Sequence, residues 1–363
     1  MIDSSASRVS RTIWRSLRIA KPSRCTLPPR GGGTLPATSS QHPDGSCPSM
    51  RLAAIALLML ILPTALSAQP RILDVGPGRA FHTPSAAAAT ARQGDVIRIA
   101  PGTYEDCAVW RADGLVIEGE DAERVVIGNR TCLGKGVFVV TGNDVTVRGV
   151  TLRGARSQYA NGAGIRGEGV NLTVERVRFL DNENGILLAG VPRGALLVRD
   201  SSFIGNGSCA RACAHGIYAG ALELLRVEGS RFLGTREGHH VKSRAFRTEV
   251  LGCDIEDGPE GTASYLIDVP NGGAVLLRGN RLSKGPRSDN RSTAISIGAE
   301  GVDRPTPEIR IESNVFTLEG GYRTVFVTNF TATPALLRGN SLPPTVIPLK
   351  GDGRTVSESG TTR

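Results

Sequence analysis

The heptapeptide Leu276-Leu-Arg-Gly-Asn-Arg-Leu282 returns with a single substitution as Leu336-Leu-Arg-Gly-Asn-Ser-Leu342. Each copy ends in a motif made of a small or apolar residue, one spacer and a large apolar residue. The motif occurs eight times, with 23 to 34 residues between successive large residues: Val150/Leu152, Val177/Phe179, Ser201/Phe203, Ser230/Phe232, Cys253/Ile255, Asn280/Leu282, Asn314/Phe316 and Asn340/Leu342. Repeats of this length, built from short strands and Gly/Asn turns, predict a solenoid with one coil per repeat.

A second short strand recurs between the copies of this motif. Successive side chains of a strand point to opposite faces, and strands stack about 4.8 Å apart, so each position forms a column along the solenoid. A slip of one residue would expose the apolar set, which fixes the register. The predicted inward column is Ile165, Ile186, Ile217, His239, Tyr265, Ile295 and Phe326. The predicted outward column is Arg166, Leu187, Tyr218, His240, Leu266, Ser296 and Val327, with Lys242 and Asp268 following it.

The first residues of the eight motifs form a further predicted inward column. Its last three members, Asn280, Asn314 and Asn340, are expected to hydrogen-bond to one another and to the backbone as a ladder. Cys253 falls in the same column, so we expect a buried, unreactive thiol. A reactive cysteine would need an exposed and positively polarised setting.

The N-terminal part of the repeat region begins with a helix signal. Thr83 as N-cap and Pro84 in the first turn predict a short helix in the Ala-rich run 85–92. The stretch 94–104 then has the pattern of a strand followed by a Pro-Gly turn. This opening resembles the first coil of secreted right-handed parallel β-helix proteins, the pectate-lyase-like superfold, over roughly residues 80–342. We therefore predict an all-β fold, a single-stranded right-handed parallel β-helix solenoid with a short N-terminal capping helix.

Residues 50–68 have the positive start, short apolar core and small-residue exit of a secretory signal peptide. The apolar run 52–62 is too short for a membrane span, so no stable span is expected after cleavage. Residues 1–49 lack apolar periodicity and are interpreted as a disordered leader or a misassigned start. The remaining predicted units are a connector at 69–80, the β-helix at 81–342 and a C-terminal tail at 343–363. We expect a secreted or periplasmic protein.

Charge and cysteine content narrow the class of partner. Residues 1–68 hold eight of the 43 Lys and Arg residues and two of the 34 acidic ones, which leaves +3 for the rest of the chain. This near balance removes the charge argument for a nucleic-acid partner. Two disulfides in an oxidising compartment are predicted, and we expect a monomer. The cysteines are Cys107 with Cys132, about one repeat apart, and Cys209 with Cys213, which flank a three-residue loop.

The predicted outer face gathers four side chains into a candidate catalytic site: His240, Lys242, Tyr218 and Asp268. A base, a cation, a phenol and a carboxylate suit an enzyme that acts on an acidic polysaccharide. In β-elimination from a uronate, Lys242 would neutralise the substrate carboxylate, His240 would take the adjacent proton and Tyr218 would protonate the leaving oxygen. Arg244 or Arg166 would support carboxylate binding through a bidentate fork.

The element Val241-Lys242-Ser243 resembles the Lys-Ser element of β-helix lyases of the chondroitinase-B and alginate-lyase type, in which that lysine is the base. Those enzymes carry an Arg-His-Gly element on the next coil, whereas this chain has Ser264-Tyr-Leu-Ile-Asp268 there. A structural interpretation competes with the catalytic one. In it, Lys242 and Asp268 form a cross-strand ion pair, and His239 is a hydrogen-bonded core histidine.

Two functions follow from the sequence. The first is an exported protein that binds an acidic polysaccharide on its outer face, with or without modification of lyase or epimerase type, as the resemblance implies. The alternative is a non-catalytic module for cell-envelope or surface interactions. Trp110 is the single Trp beyond the signal peptide, and because sugar rings usually stack on aromatic rings, this favours a charge-based site or none. No cofactor is expected; Ca²⁺ is the weaker alternative at 181–184 and 254–257, since polar turns have the same composition.

Overall fold

The computed structural model describes residues 69–357, which form three parallel sheets with strands numbered in chain order. Sheet A contains β1 (Ile72–Val75), β2 (Val96–Ile99), β5 (Val116–Gly119), β8 (Val145–Arg148), β11 (Leu172–Glu175), β14 (Ala195–Arg199), β17 (Leu224–Glu228), β20 (Arg247–Leu251), β23 (Ala274–Arg278), β26 (Ile309–Glu312), β29 (Ala335–Arg338) and β31 (Gly353–Val356). Sheet B contains β3 (Gly102–Tyr104), β6 (Val125–Gly128), β9 (Thr151–Arg153), β12 (Arg178–Leu180), β15 (Ser202–Ile204), β18 (Arg231–Leu233), β21 (Asp254–Glu256), β24 (Arg281–Lys284) and β27 (Val315–Leu318). Sheet C contains β4 (Ala108–Trp110), β7 (Gly136–Val140), β10 (Ala163–Gly167), β13 (Asn184–Leu188), β16 (Ile217–Ala219), β19 (His239–Ser243), β22 (Tyr265–Val269), β25 (Thr293–Ile297), β28 (Val325–Asn329) and β30 (Ile347–Lys350).

From β2 to β28 each coil contributes one strand to every sheet, whereas the terminal coils lack a strand in sheet B. For example, β8, β9 and β10 follow one another in the chain and lie in sheets A, B and C, and the next strand, β11, pairs in parallel with β8. The predicted right-handed parallel β-helix is confirmed. A short helix, α1 (Pro84–Ala88), packs against β1 and β4, and its N-cap Thr83 accepts a hydrogen bond from the backbone N–H of Ala86 at 3.3 Å.

The solenoid extends beyond the predicted limits of 81 and 342 at both ends. β1 lies in the predicted connector and pairs with β2. β30 and β31 lie in the predicted tail and pair with β28 and β29. The last strands are largely exposed, since no later coil among the described residues covers them, and the apolar pattern therefore fades there. The predicted leader 1–49 and signal peptide 50–68 lie outside the described residues. Within residues 69–357, none of the helical structure has the length and apolar character that a bilayer crossing requires.

The core is organised as stacks of identical or similar side chains. The large apolar residues of the repeated motif all point inward from sheet B, apart from Leu342, which is only partly buried. Phe179, Phe203 and Phe232 stack nearly parallel, with centroids 4.6 and 4.5 Å apart. These spacings match the distance between adjacent strands, so the aromatic stack follows directly from in-register coil stacking.

The predicted asparagine ladder is confirmed. Asn280 donates from Nδ2 to Oδ1 of Asn314 at 2.8 Å, and Asn314 donates in the same way to Asn340 at 2.9 Å. A second ladder was not predicted: Asn182 donates to Oδ1 of Asn206 at 3.1 Å. Asn182 belongs to the turn that the sequence marked as a weak Ca²⁺ candidate. Its amide is fully buried and bonded to protein.

The outer face of sheet A carries a ladder of alternating charge. Its paired positions are Asp74, Arg98, Glu118, Arg148, Glu175, Arg199 and Glu228. Arg199 lies 3.3 Å from both Glu175 and Glu228, one coil away on either side. Exposed pairs of this kind each contribute little stability. Their order nevertheless places each charge from Arg98 to Arg199 between neighbours of opposite sign, and the alternation is interrupted at Leu251, which pairs with Glu228.

Both predicted disulfides are present, Cys107–Cys132 and Cys209–Cys213. Cys253 is a free thiol in the core with 1% of its surface exposed, as predicted. Its sulfur donates weak hydrogen bonds to the carbonyls of Val227 and Leu251. Burial raises the pKa of the Cys253 thiol to about 11.

Replacing Asn314 with Ala tests the asparagine ladder. The change leaves the buried Asn280 N–H and Leu277 carbonyl without their side-chain partners, and each such loss costs about 1–3 kcal/mol. We expect the free energy of unfolding to fall by about 3 kcal/mol, measured by urea denaturation. Arg281→Ala on the exposed face of sheet B is the control, and a similar loss in both variants would contradict the ladder's role.

Cys253 should resist alkylation in the folded protein. Because the folded-state pKa lies near 11, the thiolate is scarce at pH 8 and increases only as the pH rises toward that value. Iodoacetamide at pH 8, followed by peptide mapping, is expected to leave Cys253 unmodified in the native chain and to modify it fully in guanidinium. Rapid labelling of the native chain would show that the thiol is accessible.

Candidate functional site

A column of polar side chains runs along the outer face of sheet C. Four of the predicted site residues share it: Arg166, Tyr218, Lys242 and Asp268. The strand register pairs Arg166 with Leu187, Leu187 with Tyr218, Tyr218 with Lys242, and Lys242 with Asp268. Ser296 is the next rung after Asp268. Lys242 and Asp268 therefore occupy the places that the sequence assigned to His240 and Leu266.

The predicted orientations of the two adjacent histidines are wrong. His240, predicted outward, is 0% exposed, and His239, predicted inward, lies on the outer side with 12% of its side chain exposed. The predicted column placed His239 opposite Ile217 and therefore Gly238 opposite Gly216. In the structure, His240 stacks against Gly216. A Cβ on Gly216 would lie only 2.5 Å from the His240 carbonyl oxygen. The true register is thus shifted by two residues in this coil and in the next one, where Ile267 rather than Tyr265 stacks on Ile295. At β28 it is shifted by one residue, because Val327 rather than Phe326 stacks on Ile295.

Strict alternation of side chains also fails at this point of sheet C. The pairing of β19 with β22 joins His239 to Tyr265 and Val241 to Ile267, and passes over the residues between them. His240 and Val241 are both fully buried although they are consecutive. The inside–outside rule of a regular strand therefore could not assign His240.

His240 belongs to a polar network inside the solenoid. Its Nδ1 lies 2.8 Å from Oγ1 of Thr235, and its Nε2 lies 2.8 Å from Oδ1 of Asp257. Nearby, Lys284 is completely buried and donates from Nζ to Ser288 at 2.7 Å, and burial lowers its pKa to about 8. This network bonds the interior together, and its enclosure separates His240 from any ligand on the outer face.

The second histidine belongs to a ladder of rings on the outer side of sheet C. His215 stacks on His239 at 4.8 Å, and the ring of Tyr265 lies 4.9 Å from that of His239 at a tilt of 34°. The Nδ1 of His215 accepts the backbone N–H of His239 at 3.0 Å, and the Nδ1 of His239 accepts that of Tyr265 at 3.2 Å. Each ring thus satisfies a donor of the next coil, as the asparagines do in the core.

Both ladder histidines are neutral at pH 7. Burial, together with the charge of Lys242, lowers the pKa of His239 to about 3. Burial and the neighbouring His239 likewise lower the pKa of His215 well below its ordinary value. Since Nδ1 accepts in each ring, the single proton sits on Nε2, which in His239 lies 3.5 Å from Oδ2 of Asp268.

Beside this ladder, two cations and two carboxylates interlock. Lys242 Nζ lies 3.2 Å from Oδ2 of Asp268, which confirms the predicted ion pair, and 2.6 Å from Oε1 of Glu300. Arg244 donates from Nη2 to Oε2 of Glu300 at 2.6 Å and from Nε to the hydroxyl oxygen of Tyr218 at 2.8 Å. We call Tyr218, Lys242, Arg244, Asp268, Ser296 and Glu300 the sheet C cluster.

The surroundings in the sheet C cluster favour the charged form of Glu300 at the rim and disfavour the charged form of the buried Asp268. Burial raises the pKa of Asp268, and the nearby Lys242 only partly offsets that effect. Burial also acts to raise the pKa of Glu300, but hydrogen bonds from Lys242 and Arg244 outweigh it and lower the pKa to about 2. Glu300 is therefore ionised throughout the physiological range.

One polar atom of the sheet C cluster, Oδ1 of Asp268, is buried without a hydrogen-bond partner among residues 69–357. The Ser296 side chain is fully buried and interacts with the Tyr265 hydroxyl. Asp268 and Ser296 lie on adjacent rungs of the same column. Further along, Arg166 stands three coils before Lys242, about 14 Å away at 4.8 Å per coil. Its Nε also makes no hydrogen bond in the described part of the chain, although Oε1 of Glu168 lies 3.3 Å away.

Sequence reasoning missed Glu300, which lies 58 positions after Lys242 in a loop without any repeated pattern. It also missed the roles of Lys284 and Asp257, which become visible only when the interior of the coil is known. Among the described residues, no group of three or more His, Cys, Asp or Glu side chains is arranged to hold a metal ion.

A separate cleft of about 420 Å³ opens among the loops that connect sheets B and C. Arg156, Arg236, Glu237, Glu260 and Thr262 are among its lining residues. Arg156 and Arg236 share the single carboxylate of Asp181, which compensates one of their two charges. None of the predicted site residues lines this cleft.

The sequence matches no family model and no curated protein. Among solved structures it resembles pectate lyase Pel9A, with 14% identity over 79% of this chain and 78% of that one and a TM-score of 0.48. It resembles an alginate lyase from Paenibacillus sp. str. FPU-7 at 15% identity, over 78% of this chain and 99% of that one, with a TM-score of 0.48. It resembles ORF18 of Geobacillus virus E2 at 15% identity and a TM-score of 0.44, over 73% of this chain but only 54% of the viral protein. At these levels the similarity concerns the coil architecture and carries no argument about activity.

Proposed function

We propose that the chain binds a linear acidic polysaccharide along the outer face of sheet C, at the sheet C cluster, without cleaving it. The observation that carries this proposal is the pair of cations, Lys242 and Arg244, that converge on one carboxylate, Glu300, at the rim of the cluster. The Glu300 side chain is 46% exposed, so the point where the two cations meet is open to a ligand from solvent.

The positive charges of Lys242 and Arg244 favour an acidic sugar over a neutral one. Lys242 and Arg244 direct their donors toward the same point on the outer face, where both contact Glu300. Arg and Lys donors to carboxylates form shorter and stronger hydrogen bonds than neutral pairs do. A glycan that extends along the solenoid would pass one coil about every 4.8 Å and would reach Arg166 as a second cationic contact.

Binding without cleavage is favoured because the site lacks a base in a suitable state. His240 is enclosed and bonded to Thr235 and Asp257. The Nζ of Lys242 is engaged by two carboxylates, Asp268 and Glu300. The Nδ1 of His239 already accepts a backbone N–H. The role of base that the sequence suggested for His240 therefore has no support in this geometry, whereas the contact with a substrate carboxylate suggested for Lys242 is part of the proposed binding site.

We further propose that the protein acts outside the reducing cytoplasm. Its two disulfides are of the kind that persists in oxidising compartments. A secreted or periplasmic location would also bring it into contact with extracellular acidic polysaccharides.

Arg244→Ala tests the binding face. Because the Arg244 guanidinium is one of the two cations that meet at Glu300, affinity for oligomers of alginate or polygalacturonate, measured by isothermal titration calorimetry, is expected to fall about tenfold, the value of one hydrogen bond to a charged group. Arg310→Ala on sheet A, which removes the partner of Glu312, is the matched control. Unchanged affinity in the Arg244 variant would argue against this binding face.

The absence of a base predicts no β-elimination. Incubation of the purified chain with alginate, pectate or glycosaminoglycans should give no rise in ultraviolet absorbance from unsaturated products, at any pH between 5 and 9. A steady rise that is lost in Lys242→Ala would overturn the proposal of binding alone and restore lysine as a catalytic group.

A further inference from the structure

The loop between β25 and β26 is unlike the other connections from sheet C to sheet A. It contains eleven residues, 298–308, where the other coils use two to six. It accounts for much of the longest repeat interval, the 34 residues between Leu282 and Phe316. Such an excursion adds nothing to the core, so its position on the surface calls for another explanation.

This loop folds back over earlier coils and is fixed there by several bonds. The backbone N–H of Glu300 donates to the Pro270 carbonyl at 3.0 Å, and that of Arg304 donates to the Asn271 carbonyl at 3.1 Å. The Arg304 guanidinium lies 4.8 Å from the centre of the Phe246 ring and donates from Nε to the Arg244 carbonyl at 3.2 Å. These contacts carry the Glu300 side chain across two coils to Lys242 and Arg244.

Glu300 contacts Lys242 and Arg244 in the way that the carboxylate of a bound ligand would. One oxygen takes Lys242 Nζ at 2.6 Å and the other takes Arg244 Nη2 at 2.6 Å. The Glu300 side chain is 46% exposed, while the Lys242 side chain beneath it is only 9% exposed. Glu300 is thus the outermost member of the sheet C cluster, and a rotation of its side chain toward solvent would expose both cations.

We infer that Lys242 and Arg244 form a subsite for one carboxylate group, that Glu300 is its resident occupant, and that the uronate carboxylate of a bound polysaccharide replaces Glu300. This inference rests on the proposed function and gives it a mechanism of competition. With Glu300 in place, the charges of Lys242 and Arg244 are balanced by Asp268 and Glu300. With Glu300 rotated away, one positive charge is left for the ligand.

The competition also sets which ligands succeed. An occupant on the same chain acts at a high effective concentration, in the millimolar range for short connections. A single small carboxylate must overcome that advantage with one contact. A polyuronate presents several carboxylates on one chain and can also reach Arg166, so it is the better competitor.

Two measurements test this inference separately from the proposed function. In the first, Glu300→Ala is titrated with acetate at constant ionic strength, and the melting temperature is followed. We expect acetate to raise the melting temperature of this variant by several degrees and to leave that of the wild-type chain unchanged. Glu312→Ala, which removes a carboxylate from Arg310 on sheet A, is the matched control and should show no effect of acetate beyond that of chloride.

In the second measurement, polygalacturonate oligomers are titrated into wild-type protein and Glu300→Gln by calorimetry. We expect binding about tenfold tighter to the variant, because the amide competes less well for the two cations. Acetate rescue without polygalacturonate or alginate binding would support the subsite and refute the polysaccharide. Wild-type binding that is unchanged or weaker in Glu300→Gln, with no acetate rescue, would refute the subsite and leave the polysaccharide proposal standing.

Discussion

The constraint on which the structure depends is the in-register stacking of parallel strands, which places every side chain about 4.8 Å from its counterpart in the next coil. Neighbours are therefore chosen by position in the repeat, and side chains that pair well with their own kind become favourable. The phenylalanine stack, the two asparagine ladders, the histidine–tyrosine ladder and the alternating ions of sheet A are four solutions to this one condition.

Features that follow from the repeat could be predicted from the sequence. The motif series located the inward column of sheet B, the asparagine ladder and the burial of Cys253, because each depends only on a position that recurs. The Lys242–Asp268 pair could be predicted for the same reason. The short helix α1 could also be predicted, because its start signals, Thr83 and Pro84, act within one helical turn.

What the sequence could not supply are features that break the repeat. The orientations of His239 and His240 were missed because Gly238 resembles the glycines of earlier coils while the structure stacks His240 on Gly216. Glu300 was missed because a long loop carries it across two coils, and loop direction leaves no periodic signal. The consequence for the candidate site is large: the predicted base, His240, is enclosed and bonded to Thr235 and Asp257, and the predicted cation, Lys242, is paired with Asp268 and Glu300.

The charge ladder of sheet A also limits how such a solenoid can lengthen. Inserting one coil into an alternating series would place like charges on adjacent rungs, whereas inserting two would preserve the alternation. The two near-identical heptapeptides fit this rule, since their arginines, Arg278 and Arg338, lie on rungs of sheet A separated by Glu312 alone. In electrostatic terms, the unit of growth in this stretch is a pair of coils, although the unit of folding is one.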